Sequence, residues 1–88
     1  MPEFRLEFSK PAKKYLTSLE KKTQVRILEA IRGLAQFPPV GDLKPLEGRK
    51  GKYRLRVGSY RVIYSYGKDG KIIIVLIENI GPRGDIYK

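Results

Sequence analysis

The stretch PEFRLEFS (2–9) alternates Phe4, Leu6 and Phe8 with Arg5 and Glu7, which is the period of a strand with one buried face. The period then changes. Ser9 stands where an N-cap is wanted, and Pro11 follows near the first helical positions, where a missing N–H costs nothing. Ala12, Tyr15, Leu16 and Leu19 recur at helical spacing, helicity falters around Leu19–Lys22, and Ile27, Leu28, Ile31, Leu34 and Ala35 form a second apolar stripe. That stripe stops at Phe37-Pro38-Pro39, because proline disfavours the α region for its predecessor. Two helices joined so closely predict an antiparallel hairpin lying on a sheet.

Residues 38–52, PPVGDLKPLEGRKGK, are rich in proline, glycine and charge and read as a loop, with Leu43 and Leu46 as its anchors to the core. Three further strands are expected at roughly 53–58, 60–66 and 71–79. Gly58-Ser59 suits a tight turn with glycine first, and Asp69-Gly70 is a hairpin signal. The order is β-α-α-β-β-β. It predicts an α+β domain, a two-helix hairpin packed on one face of a largely antiparallel four-stranded sheet. Eighty-eight residues fit a single domain, 1–88.

The hairpin register sorts side chains to two faces. If Gly58 and Ser59 form the turn, Val57 lies opposite Tyr60, Leu55 opposite Val62 and Tyr53 opposite Tyr64. These share the face that wants the helices. On the other face Arg56 opposes Arg61, with Arg54 one pleat further along. A two-residue turn at Asp69-Gly70 places Val75 beside Tyr64, Ile77 beside Val62 and Glu78 beside Arg61; a four-residue turn shifts this pairing by two and keeps the faces. Like charges directly opposite cost a few tenths to ~1 kcal/mol. Either the guanidinium groups splay into water, with Glu78 partly neutralising Arg61, or they form an anion site with bidentate donors for phosphate. Ile63, Ile74 and Leu76 share that face, which suggests that a substrate or partner covers it.

Charge sharpens the choice. Nineteen Lys and Arg against nine Asp and Glu give a formal +10, which suits polyanions such as nucleic acid, an anionic membrane or an acidic protein. No run approaches the ~18 apolar residues of a membrane span, and no apolar leader follows Met1. The cytoplasm is therefore the expected compartment, without membrane association. Cysteine and histidine are both absent, which removes thiol chemistry, the commonest general base and the usual nitrogen and sulfur metal ligands. No glycine pattern matches a nucleotide loop. No metal and no small-molecule cofactor is expected. One reaction suits this residue set: attack of an RNA 2′-hydroxyl on the neighbouring phosphate needs positioning, cationic stabilisation and proton transfer, but no metal. Arginine supplies the stabilisation, and a tyrosine or lysine of perturbed pKa could move protons.

The element order, the segment YRLRVGSYRVIYSY (53–66) and the ending GPRGDIYK (81–88) resemble the RelE/ParE superfamily of toxins, the toxin halves of toxin–antitoxin modules, across essentially the whole chain. Within the RelE branch the resemblance implies a RelE-like fold and an endoribonuclease, an mRNA interferase that enters the ribosomal A site and cuts mRNA, so inhibiting translation. It also implies a cognate, acidic, RelB-like antitoxin. The family's phosphate-contacting strand residues fall at Arg54 and Arg56, its transition-state arginine at Arg61, and its C-terminal pair at Arg83 and Tyr87. In the best-known bacterial members the two strand positions are lysines, so here proton transfer falls to Lys52, to Tyr87, or to a base supplied by the ribosome-bound substrate. The expected site is thus Arg61, Arg83 and Tyr87 for catalysis, with Lys52, Arg54 and Arg56 binding RNA phosphate. Two other functions stay open: a ParE-type toxin that inhibits gyrase, and a non-catalytic basic RNA-binding domain.

Overall fold

The computed structural model describes residues 3–82. The chain runs β1 (Glu3–Phe8), α1 (Lys10–Thr17), α2 (Lys21–Arg32), a 3₁₀ turn (Gly33–Ala35), β2 (Asp42–Pro45), β3 (Tyr53–Val57), β4 (Tyr60–Asp69) and β5 (Ile72–Pro82). The strands form one sheet in the order β1-β5-β4-β3-β2, with β1 parallel to β5 and every other pair antiparallel. The α+β architecture is as expected, but the sheet has five strands rather than four. The extra strand is β2, inside the segment read as a loop. Its four residues are too few to carry a period, and Pro45 argues against a strand. It survives because it lies at the sheet edge, where proline costs no internal ladder bond.

Local signals explain the helices. The Ser9 side chain accepts a hydrogen bond from the Ala12 amide at 3.2 Å, and its hydroxyl donates to the Glu78 carbonyl at 2.6 Å. One residue therefore caps α1 and ties it to β5. At eight residues α1 is too short to be stable alone, since isolated helices under ~12–15 residues are marginal in water. Its hold comes from burying Ala12 and Leu16, as α2 buries Ile27 and Ile31. These meet Leu34, Leu55, Val57, Val62, Tyr64, Val75, Ile77 and Ile80 in one core between helices and sheet. Each fully buried aliphatic contributes roughly 1.5–3 kcal/mol of transfer free energy.

The β3–β4 register is the expected one: Val57 pairs with Tyr60, Leu55 with Val62, Tyr53 with Tyr64 and Arg56 with Arg61. Gly58 takes the left-handed conformation at φ +58°, and a Cβ there would meet the Arg26 guanidinium at 2.7 Å. The β4–β5 pairing differs from expectation. Asp69 pairs with Ile72, so the loop is Gly70-Lys71, with Gly70 at φ +62°. The ladder then slips between Ile63 and Tyr64, where Glu78 is the extra residue of β5. Tyr64 pairs with Ile77 and Val62 with Ile80, while Arg61 faces Gly81 rather than Glu78. The core faces survive because the turn shift is even and the bulge adds its residue on the outer side.

Candidate nucleic-acid interface

Three strands build the arginine face as rows of side chains. Asp42 of β2, Arg56 of β3 and Arg61 of β4 form one row, closed at β5 by Gly81. The next row reads Lys44, Arg54, Ile63 and Asn79. Arg54, Arg56 and Arg61 converge on one pocket of about 320 Å³, whose other walls include Lys44 and Glu47. They are not equivalent. Arg54 is only 7% exposed. Its Nη1 lies 3.4 Å from both the carbonyl oxygen and Oδ1 of Asp42. Arg56 is half-buried, with its Nε 3.9 Å from the other Asp42 oxygen, Oδ2. One carboxylate therefore sits between two guanidinium groups, offsetting their repulsion and fixing Arg54 as a wall of the pocket.

Lys52 is on the same side of the sheet but not in that pocket. Its ammonium contacts the Glu78 carboxylate, which also accepts from the Ser65 hydroxyl at 2.7 Å. Burial pushes the Glu78 carboxyl up, but hydrogen bonds from Lys52 and Ser65 and the charges of Lys52 and Arg49 outweigh it. The net shift is downward, so Glu78 is anionic. The expectation that Glu78 neutralises Arg61 is thus replaced by a Lys52–Glu78 pair: the shifted loop displaces β5 by two residues and the bulge by one more, so Gly81 rather than Glu78 faces Arg61. Ile63 is already 3% exposed, so the apolar part of this face is less bare than its composition implied. Burial raises the phenols of Tyr64 and Tyr66 above their ordinary value, aided at Tyr64 by Tyr66 and Tyr53 and at Tyr66 by Tyr53. Both rings lie on the helix side of the sheet, away from the arginines. Arg83 and Tyr87 fall outside the described residues.

Sequence reasoning missed Asp42, Lys44 and Glu47. A faint signal existed: in GDLKPLEG, Asp42 and Lys44 flank Leu43, an alternation that the surrounding glycine and proline obscured.

The chain matches the family model for the ParE toxin of type II toxin–antitoxin systems over residues 6–87. The RelE/ParE superfamily of toxins is its family. Among solved structures it is similar to the archaeal RelE–RelB complex from Pyrococcus horikoshii, at 37% identity and a TM-score of 0.70, covering 93% of this chain and 97% of that one. The RelB–RelE antitoxin–toxin complex from Methanococcus jannaschii matches at 26% identity and TM-score 0.65, covering 92% and 94%. The RelBE2 toxin–antitoxin complex from Mycobacterium tuberculosis, at 24% identity, TM-score 0.66 and coverage of 94% and 100%, shares the fold. A search of curated protein sequences gave no match. This RelE/ParE chain is the toxin of a type II toxin–antitoxin system. Among its described residues, no helix is long and apolar enough to cross a membrane.

Proposed function

We propose that this toxin is an endoribonuclease that cuts mRNA in the ribosomal A site through 2′-hydroxyl attack, without a metal, and is held inactive by an acidic RelB-like antitoxin. The convergence of Arg54, Arg56 and Arg61 on one pocket carries this reading. A scissile phosphate seated there meets Arg56 and Arg61 from one row. Arg54, braced by Asp42, backs the wall. In the reaction the 2′-oxygen bonds to phosphorus and the P–O5′ bond breaks, leaving a 2′,3′-cyclic phosphate and a 5′-hydroxyl. Charge builds on the non-bridging oxygens, and Arg61 stabilises it. The 2′-hydroxyl loses a proton and the 5′-oxygen gains one. Tyr87 is the proposed carrier, with Arg83 beside it in the catalytic set, while Lys52, paired with Glu78 outside the pocket, is a contact for a neighbouring phosphate. Metal independence rests on the arginines, whose fixed cations supply the charge stabilisation that a metal would otherwise give.

The test is primer extension on translated mRNA in a purified translation system containing EDTA-washed toxin. Ribosome-dependent cuts with cyclic-phosphate ends, lost in Arg61→Ala, are expected. Uncut mRNA with wild-type toxin overturns the proposal. The match to the ParE model supports a second reading, inhibition of gyrase. It replaces the first if the toxin arrests DNA supercoiling and leaves translated mRNA whole.

A further inference from the structure

We propose that the β-bulge in β5 builds a base-reading subsite beside the arginine pocket, where Glu78 selects a nucleobase carrying an exocyclic amine and rejects uracil. In a regular strand neighbouring side chains point to opposite faces. Here Ile63 pairs with Asn79 and Tyr64 with Ile77, so Glu78 is the inserted residue and shares the outer face with Asn79. Two consecutive hydrogen-bonding side chains thus stand together on the face that carries the arginines. Asn79 lies one row from Arg56 and Arg61, about 7 Å along the strands, and Ser65 one row further. Both rows are within reach of the nucleotides that flank a phosphate seated in the pocket.

A carboxylate on a face that binds a polyanion repels phosphate, and it is complementary only to RNA groups that donate. Those groups are the 2′-hydroxyls and the N–H groups of base edges. Glu78 is held ready for such a donor. Lys52 and the Ser65 hydroxyl, the latter at 2.7 Å, both bond to Oε2, which fixes the side chain in place. Oε1 accepts no hydrogen bond among the described residues. An exocyclic amine of adenine, cytosine or guanine donates to a carboxylate oxygen. Uracil has no amine and flanks its one N–H with two carbonyl oxygens. Asn79 is exposed and adds an amide that both donates and accepts. Leu76, half-buried and paired with Ser65, offers an apolar surface to the flat of a base. That the polymer is RNA rests on the preceding proposal.

The test uses the full isotope-labelled chain and four 2′-O-methyl RNA tetranucleotides that differ at one central base. Methylation removes both the nucleophile and the competing sugar donor, so these oligomers report on the base alone and are not cut. The adenine, cytosine and guanine oligomers should shift the amides of Glu78 and Asn79 together with those of Arg56 and Arg61. They should bind about fivefold tighter than the uracil oligomer. Glu78→Gln should close most of that gap, because its amide can donate to uracil. Asn79→Ala, which leaves the Lys52 and Ser65 bonds untouched, should narrow it. Equal binding of all four oligomers by the wild type, or no binding, overturns the proposal. So does a uniform change in Glu78→Gln that preserves the gap, which would make Glu78 a tie between strands and nothing more. The ribonuclease reading fails separately: a wild-type toxin that discriminates among the oligomers but leaves translated mRNA whole refutes that reading and upholds this one.

Discussion

On one face of the β3–β4 hairpin, Leu55, Val62 and Tyr64 are at most 2% exposed and lie beneath the helices. On the other, Arg56 faces Arg61 across the strands, and the buried Arg54 is engaged by Asp42. The backbone is shared, so the contrast isolates what side chains ask of a fold. The core face is satisfied by contact with any well-shaped apolar neighbour. The arginine face is satisfied by particular partners, supplied by strands that lie elsewhere in the sequence. The first stabilises the protein. The second depends on charged neighbours such as Asp42.

That contrast can be broken most forcefully at Leu55. Leu55→Ala should lower unfolding free energy by about 2–5 kcal/mol in a urea titration. A loss under about 1 kcal/mol would show the core face to be less constrained than its burial implies. Arg61→Ala should do the opposite, cutting ribosome-dependent cleavage by about 10²–10³-fold while moving stability by no more than about 0.5 kcal/mol. If stability falls as steeply as cleavage, the two faces are not separable.

Glu78→Gln should cost about 1–2 kcal/mol at neutral pH, for loss of charge-assisted bonds to Lys52 and Ser65. Its folded pKa is depressed, so its contribution is present above the unfolded carboxylate value and disappears as pH falls through the folded one. Chemical denaturation of wild type and variant should therefore converge on acidification; a gap that persists in acid would assign the cost to packing instead. Asp42→Asn should cost about 1 kcal/mol, leaving Arg54 with a neutral partner and sharpening the repulsion between Arg54 and Arg56. Added salt should recover part of that loss, and failure to do so would point to geometry rather than charge. Phe37→Ser, at a residue 81% exposed, should shift stability by less than about 0.5 kcal/mol.

Much of the fold was legible because local rules agree with one another. Ser9 and Pro11 mark a helix start, a helix break expected around Leu19–Lys22 falls at 18–20, and Gly58-Ser59 form a turn so tight that it leaves one register for β3 and β4. The later pairing was less legible for an identifiable reason. Asp69-Gly70 permits several loop positions, and nothing near Glu78 in the chain announces a bulge. The sequence-predicted phosphate ligands divide accordingly. The structure brings Arg54 and Arg56 into the pocket with Arg61, and sets Lys52 apart against Glu78.

By itself, then, the sequence determined which residues lie on each face of the hairpin, because side-chain direction follows a period of two from a fixed turn. Only the tertiary structure decided what those faces meet: Asp42 beside Arg54 and Arg56, Glu78 beside Lys52, and Phe37 beside Tyr66 at the end of the helical layer. These neighbours are separated along the chain by loops and a bulge, and packing of the whole sheet chooses among the registers that local preference allows.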